Sequence, residues 1–350
     1  MRQNLLQSLR LCVPALACLM AWPAAQAAQG SGLNAGANSW TLGIENDLFA
    51  GSHRDADYTG GFMFTMSGPD ASRALISMDP ILGAIDSLWL PNRGSDPSSK
   101  AGLQISMQAW TPDDTDSKAA VYNDRPYASL LALTSTRMTV GSDAEPAWAS
   151  SLTIGVIGAG FAEDIHRGFH SLIGSGHSPR GYSHQISDGG EPTLRYTLRR
   201  QALLGEGTFG STRQDFKWGI EGSVGYLTEA VLTASGRIGR FSTPWWSMYP
   251  ERSEFYAPRG SEGDLYLSYG VTGKLRGYNA MLEGQFRHSD VTVRRSNLET
   301  LIGEAWFGVT WGITNSTTLS YVMRYQTSEI ESGKGARDFG SGGVYLNYGY

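Results

Sequence analysis

One pattern limits the fold of this 350-residue chain more than any other: many segments alternate with period two, one face apolar and the other small or charged. After Asp264, residues Leu265, Leu267, Tyr269 and Val271 share one face, and Ser268, Gly270, Thr272 and Lys274 the other. Leu301, Ala305, Phe307, Val309, Trp311 and Ile313 alternate with Glu304, Thr310 and Gly312. Leu319, Tyr321, Met323 and Tyr325 alternate with Ser320, Arg324 and Gln326, and Val344, Leu346, Tyr348 and Tyr350 with Gly343, Asn347 and Gly349. Trp218, Ile220, Val224 and Tyr226 oppose Lys217, Glu221 and Ser223. A soluble sandwich also alternates, but its inner face is dry. Here Glu221, Arg237, Lys274, Glu304 and Arg324 sit on the small-residue face, as a wet barrel lumen permits while the apolar face meets lipid. Trp40, Trp110, Trp148, Tyr348 and Tyr350 fall near strand ends, where interfacial girdles form. The expectation is an all-β transmembrane antiparallel barrel.

Composition narrows the function classes. Only 17% of residues are charged and 44 are Gly, which excludes a charged disordered chain and a coiled coil. A net charge of -5 argues against nucleic acid, which wants a clustered basic face. Arg2 and Arg10 precede an apolar run from Leu11 to Trp22, and Ala25-Gln26-Ala27 has the form of a cleavage site. Residues 1–27 are expected to be a cleaved signal peptide and 28–350 one barrel domain. A lipoprotein reading through Ala15-Leu16-Ala17-Cys18 fits less well, because a larger apolar residue usually stands three places before the cysteine. Cys12 and Cys18 are the only cysteines and both lie in this leader, so no disulfide is expected in the barrel. No later apolar run reaches the length of a spanning helix.

The alternation and turn residues place about twelve strands near 38–48, 58–68, 100–110, 127–139, 147–159, 191–204, 213–226, 229–241, 263–276, 299–313, 316–329 and 339–350. An even count puts both termini on the periplasmic side and the turns after odd strands outside. The connection 69–98 is then unusually long for a periplasmic turn, with a short helix around 71–90.

Three polar clusters fall after odd strands and so meet on one rim. The first runs from Glu45-Asn46-Asp47 to Asp55-Ala56-Asp57-Tyr58-Thr59-Gly60-Gly61. Its hard oxygens suit calcium or magnesium, or equally an Asn/Asp-rich turn. Asn46 and Asp47 point to opposite faces of a regular strand, so sharing a site requires a bend or bulge. The second spans Trp110 to Tyr127 and includes Lys118 and Arg125, cations for a lipid phosphate or else partners of Asp113, Asp114, Asp116 and Asp124. The third, Glu163 to Tyr182, contains a helix-compatible run with His166 and His170 at i, i+4. That spacing admits zinc, but the glutamate after the first histidine is absent. One histidine as general base, or two ordinary loop histidines, are the other readings.

Taken together, the motifs resemble those of the bacterial outer-membrane lipid A 3'-O-deacylase family. The resemblance rests on Glu45-Asn46-Asp47, Asp57-Tyr58-Thr59-x-Gly61, Tyr122 through Asp124-Arg125-Pro126-Tyr127, His170-x-x-Ile173-Gly174 and Pro179-x-Gly181-Tyr182-x-x-Gln185. It covers nearly the whole chain after the leader. It implies a calcium-dependent barrel of twelve strands in the Gram-negative outer membrane. The family hydrolyses the ester of the 3'-linked acyloxyacyl chain of lipid A, the membrane anchor of lipopolysaccharide. Its site lies at the outer leaflet between the barrel wall and a short helix of an extracellular loop. Carried over, His170 is the base that activates water, Asp47 with Asn46 and main-chain oxygens holds Ca2+, Asn46 and Thr59 are polar site residues, and Lys118 contacts phosphate or oxyanion. His166-Arg167 stand where Gln-Asn is expected, Gly176-His177 where a carboxylate is common, Tyr182 for Trp, and Ser129 for Gly.

Other readings are a non-catalytic barrel, acting as a pore or surface binder, and an outer-membrane phospholipase. The latter would use a serine, and Ser171 stands next to His170 without a supporting nucleophile motif. A soluble periplasmic sandwich is the fourth. No obligate protein partner is evident from the sequence.

Overall fold

The computed structural model describes residues 37–51, 56–88, 90, 100–141, 146–160, 163–164, 168 and 179–350. The expected leader lies outside them. Strands β1 (Ser39–Asn46), β2 (Asp57–Ser67), β3 (Ala101–Thr111), β4 (Ala128–Thr139), β5 (Ala147–Ile157) and β6 (Glu191–Phe209) form the first half of one sheet. Strands β7 (Thr212–Gly225), β8 (Leu227–Arg240), β9 (Leu265–Asn279), β10 (Leu301–Gly312), β11 (Thr317–Gln326) and β12 (Phe339–Gly349) form the second half. Every neighbour is antiparallel, and β1 pairs with β12 from Ser39↔Gly349 to Asn46↔Gly342, which closes the barrel. Closure leaves no strand edge unpaired, as a membrane interior demands. No helix among the described residues is long and apolar enough to cross a membrane. The strand expected to stop at 204 continues to Phe209; the other boundaries agree closely.

The alternation sorts as expected. Leu267, Phe307 and Trp311 are about half exposed on the outer wall, while Glu221, Arg237 and Thr310 are buried on the inner one. Trp40 stacks with Phe64 and Tyr348 near the termini, as a girdle would. Two aromatics depart from the pattern. Trp110 turns inward against Tyr58, with ring centroids 5.8 Å apart. Tyr226 lines the lumen, because Gly225 at φ 134° reverses the chain before the side-chain alternation can continue.

The rim at which β1 begins and β12 ends is the terminal rim, and its opposite the distal rim. The long connection after β2 belongs to the terminal rim and contains two short helices, Pro69–Arg73 and Asp79–Asp86, where one was expected. Nothing in the sequence pattern marks 241–264 as more than a connection. It folds back into the lumen from the terminal rim. Trp245, Trp246, Met248, Phe255 and Tyr256 pack there against Met138, Val140, Ala147 and Ala149. Burying each large side chain contributes about 1.5–3 kcal/mol. At the distal end, Ile186, Ala280 and Met281 pack over Ala128, Leu130 and Ile157. A polar cavity of about 280 Å³ remains between the two layers. A lumen filled at both ends gives no support to the pore reading.

Charges that enter such a lumen need partners, and they form a chain along it. Arg276 bonds Glu229 at 2.7 Å and also Glu329. Arg195 reaches Glu229 at 3.4 Å and Glu221 at 3.5 Å. Arg252, from the inserted connection, bonds Glu221 at 2.7 Å. Glu251 accepts from Arg199 at 2.5 Å and lies 3.7 Å from Lys217. Main-chain carbonyls complete the attachment: Lys217 donates to Ser247 O at 2.7 Å and Arg324 to Glu251 O at 2.7 Å. Glu251→Leu leaves Lys217 without its carboxylate in a buried setting and Arg199 with only its longer pair to Glu221 at 3.7 Å. The expected cost is about 3–5 kcal/mol, measured as a lower urea midpoint for unfolding of the barrel in detergent micelles.

Candidate functional site

Asn46 ends β1 on the outward parity, and there the strand stops. Its side chain caps the following 3-10 helix Asp47–Ala50 by accepting from the Leu48 amide at 2.8 Å. That change of direction is the kind of bend that a site shared by Asn46 and Asp47 would require. Asn46 Nδ2 donates to Thr59 O at 2.5 Å, tying the end of β1 to β2. Asp47 Oδ2 accepts from the Ala56 amide at 2.9 Å, so its carboxylate holds the returning chain. Both residues are buried.

Thr59 arrives by a second device. The β2–β3 register shifts between Tyr58 and Gly60, so the bulge puts Tyr58 inward and Thr59 outward. Inside, Tyr58 donates to Glu45 Oε2 at 2.5 Å, and Tyr345 bonds the other oxygen of the same carboxylate. Outside, the Thr59 and Thr111 hydroxyls lie 2.6 Å apart. Thr111 is a site neighbour the sequence reading left unassigned. Its strand parity, shared with Ile105 and Ala109, was the available signal. Gly60 has no room for a side chain: a Cβ would come within 2.7 Å of Glu45 O and 3.3 Å of Asn46 Nδ2.

Thus Asn46, Asp47 and Thr59 are brought together, with Thr111 beside them. Lys118 is exposed in the 112–127 connection of the same rim. His170 and His166 lie outside the described residues, while Glu163, Asp164 and Gly168 of the same run are helical. The foot of that loop is well defined. Tyr182 packs on Tyr127 with ring centroids 4.9 Å apart, and Gly181 leaves no room for a Cβ beside the Tyr127 ring. Ser129 donates to Gln185 at 2.8 Å, and the Ile186 amide to Tyr127 O at 2.8 Å. The Arg-Pro-Tyr and Gly-Tyr motifs therefore anchor the connection that contains His170 onto β4.

Arg125 does not fit the phosphate reading. It is buried, bonded to Asp57 at 3.3 Å and to Glu329, beneath the rim. Arg337 joins the cluster through Asp57 at 2.7 Å and Asp124 at 2.9 Å. Burial opposes ionisation of Glu329, but Arg125 and Arg276 outweigh it and hold the carboxyl at about 2. A lowered folded-state pKa stabilises above the unfolded value of 4.5 and is lost as pH falls through the folded one. Glu329→Gln should therefore remove part of the stability change seen between about pH 4.5 and pH 2 in acid titrations of unfolding.

For a cation, the described donors are hard oxygens: the Asp47 carboxylate, Asn46 Oδ1 and main-chain carbonyls. That chemistry fits calcium or magnesium and not a thiophilic metal. Among the described residues no three His, Cys, Asp or Glu converge on one point. Crowding tests the geometry around Asn46. Gly60→Ala should cost about 1–3 kcal/mol through overpacking and speed hydrogen exchange at the Leu48 and Ala56 amides, read by mass spectrometry.

Comparison with known proteins agrees with this architecture. A search of the curated proteins finds no sequence match. Among solved structures, LpxR from Salmonella typhimurium superposes with a TM-score of 0.69 at 15% identity, covering 89% of this chain and 100% of that one. The β domain of the Bordetella autotransporter BrkA gives 0.40 at 8% identity, covering 90% and 100%. The translocator domain of NalP from Neisseria meningitidis gives 0.35 at 9%, covering 92% and 91%. The family model described as outer membrane protein LpxR matches residues 11–348. With a closed barrel whose outer wall is apolar, and a family match over nearly its full length, this chain belongs to the LpxR family of outer membrane proteins.

Proposed function

We propose that the protein is a calcium-dependent lipid A 3'-O-deacylase, a carboxylic ester hydrolase that releases the 3'-linked acyloxyacyl chain from lipopolysaccharide. The observation that supports it most is the buried polar group of Asn46, Asp47, Thr59 and Thr111 at the distal rim, with Asn46 and the Thr59–Thr111 pair on the outward side of the wall. A pore would have no use for such a group outside its lumen. An enzyme acting on a lipid would need it there, level with the head groups of the outer leaflet.

In this reading His170 takes a proton from water, and the resulting hydroxide attacks the ester carbonyl carbon. The bond to the sugar oxygen then breaks, the departing alkoxide recovers the proton from the imidazolium, and the acyl chain leaves as a carboxylic acid. Asp47 and Asn46 would hold calcium, which when bound supplies a Lewis acid for the carbonyl oxygen. Thr59 orients the reacting ester, its hydroxyl fixed by Thr111. Lys118 contacts phosphate or the developing oxyanion.

The test is mass spectrometry of lipid A from a host without such an activity, expressing the wild type or His170→Ala with calcium present. Loss of one acyloxyacyl group is expected with the wild type alone, at least a hundredfold above the variant if general-base catalysis operates. Equal hydrolysis by a folded His170→Ala barrel would reassign the base. Unaltered lipid A with an inserted wild-type barrel, in cells and in calcium-supplemented detergent extracts, would overturn the proposal.

A further inference from the structure

The connection 69–88 does not hang below the barrel as a solvated loop. It lies against the outside of the wall. Along β4, β5 and β6, Thr134, Ser151, Thr153 and Thr197 line the lumen. The alternate residues Leu133, Leu152 and Tyr196 therefore face out, and these pack against Met78, Leu82 and Ile85 of the helix Asp79–Asp86. The preceding turn does the same through Ala71 and Ala74 against Met66, Ala101, Leu103 and Leu133.

Both carboxylates of its second helix are turned toward the wall. Asp79 pairs with Arg137 at 3.0 Å. Asp86 accepts from Ser150 at 2.6 Å and from Tyr196 at 2.8 Å. The Met78 amide donates to Ser135 Oγ at 2.9 Å. Each wall partner is outward-facing, so the segment covers a polar patch that lipid would otherwise meet. Its other side is mostly apolar: Leu75 is 101% exposed, Leu88 75%, Ile81 58% and Ile76 51%, with Arg73 and Ser87 the exposed polar residues among them. A helix at a water-exposed rim would show the reverse distribution.

This bare face continues an established surface. One outward step from the packed residues Leu103, Leu152 and Tyr196 come Ile105, Ile154 and Leu194, which are about half exposed and belong to the lipid-facing band. Leu152 stands about 12 Å above the terminal end of its strand, for the usual rise and tilt of barrel strands. A transmembrane barrel wall presents an apolar band only about 25 Å tall, so the segment reaches bilayer depth.

We propose that residues 69–88 form a membrane-embedded collar, a lipid-binding surface seated among the acyl chains of the leaflet at the terminal rim. The collar uses its carboxylates to hold the wall and its Leu75, Ile76, Ile81 and Leu88 to hold lipid. It is independent of the catalytic reading and rests only on the barrel crossing a bilayer.

The test uses the full barrel folded into phosphatidylcholine vesicles, with Cys12 and Cys18 replaced by Ser and one cysteine introduced for an environment-sensitive fluorophore. Leu75→Cys and Ile81→Cys are compared with Leu194→Cys in the lipid band and Glu262→Cys in the terminal-rim connection, each variant checked for heat-modifiable migration. Quenching by brominated acyl chains at 75 and 81, equal to that at 194 and well above that at 262, with blue-shifted emission, is the expected result. Quenching by aqueous iodide instead, as at 262, would overturn the proposal. Protection from both quenchers that vanishes on dilution of the protein would assign the face to a second copy of the chain and overturn it equally.

Discussion

The structure depends on the pairing of charges that cannot reach bulk water. Once Arg195, Arg199, Lys217, Arg276 and their carboxylates are placed on the inner face of a closed sheet, each must find its counterion inside the barrel. An uncompensated one costs several kcal/mol. The strands do not supply enough partners by themselves. The connection 241–264 inserts Glu251 and Arg252 into the gap and adds the carbonyls of Ser247 and Glu251. Wall and insert are therefore one electrostatic unit, and the apolar cluster of Trp245, Trp246, Phe255 and Tyr256 seals it from the terminal side.

The outer-wall site stands on this unit. Glu45 is the joint. Its carboxylate clamps Tyr58 and Tyr345 inside, and one residue further along, Asn46 faces out. The bulge next to Tyr58 converts an interior hydrogen bond into an exterior hydroxyl at Thr59. Beneath the rim, Asp57, Arg125, Glu329 and Arg337 fix the start of β2 from below. The motif residues divide accordingly. Some build the outward group, and others, such as Arg125 and Tyr127, hold its support in place.

The barrel was legible because strand parity is local: a two-residue period, repeated, needs no tertiary information. The inward turn of Tyr226 escaped because a positive-φ glycine resets the parity without changing composition, whereas Trp110 simply keeps the inward parity of Gln104, Ser106 and Gln108, which its aromatic character masked. The insert 241–264 escaped for a related reason. Its aromatics and charges alternate with no period, and its place is set by partners more than a hundred residues away, such as Ser39 and Thr136. At the site, the need for Asn46 and Asp47 to share one location foretold a bend after β1. The burial of Arg125 was not foretold, because Glu329 is distant in sequence and its charge is unremarkable there.

A barrel with both ends stopped also fixes how traffic reaches its outer wall. No molecule can approach Asn46 and Thr59 by passing through the lumen. A membrane lipid that meets that surface must arrive sideways, by two-dimensional diffusion in the plane of the leaflet, and depart the same way. Encounter then depends on surface density and membrane fluidity and not on bulk concentration. A gel-phase bilayer would slow that encounter even with the fold and every bond at the rim intact.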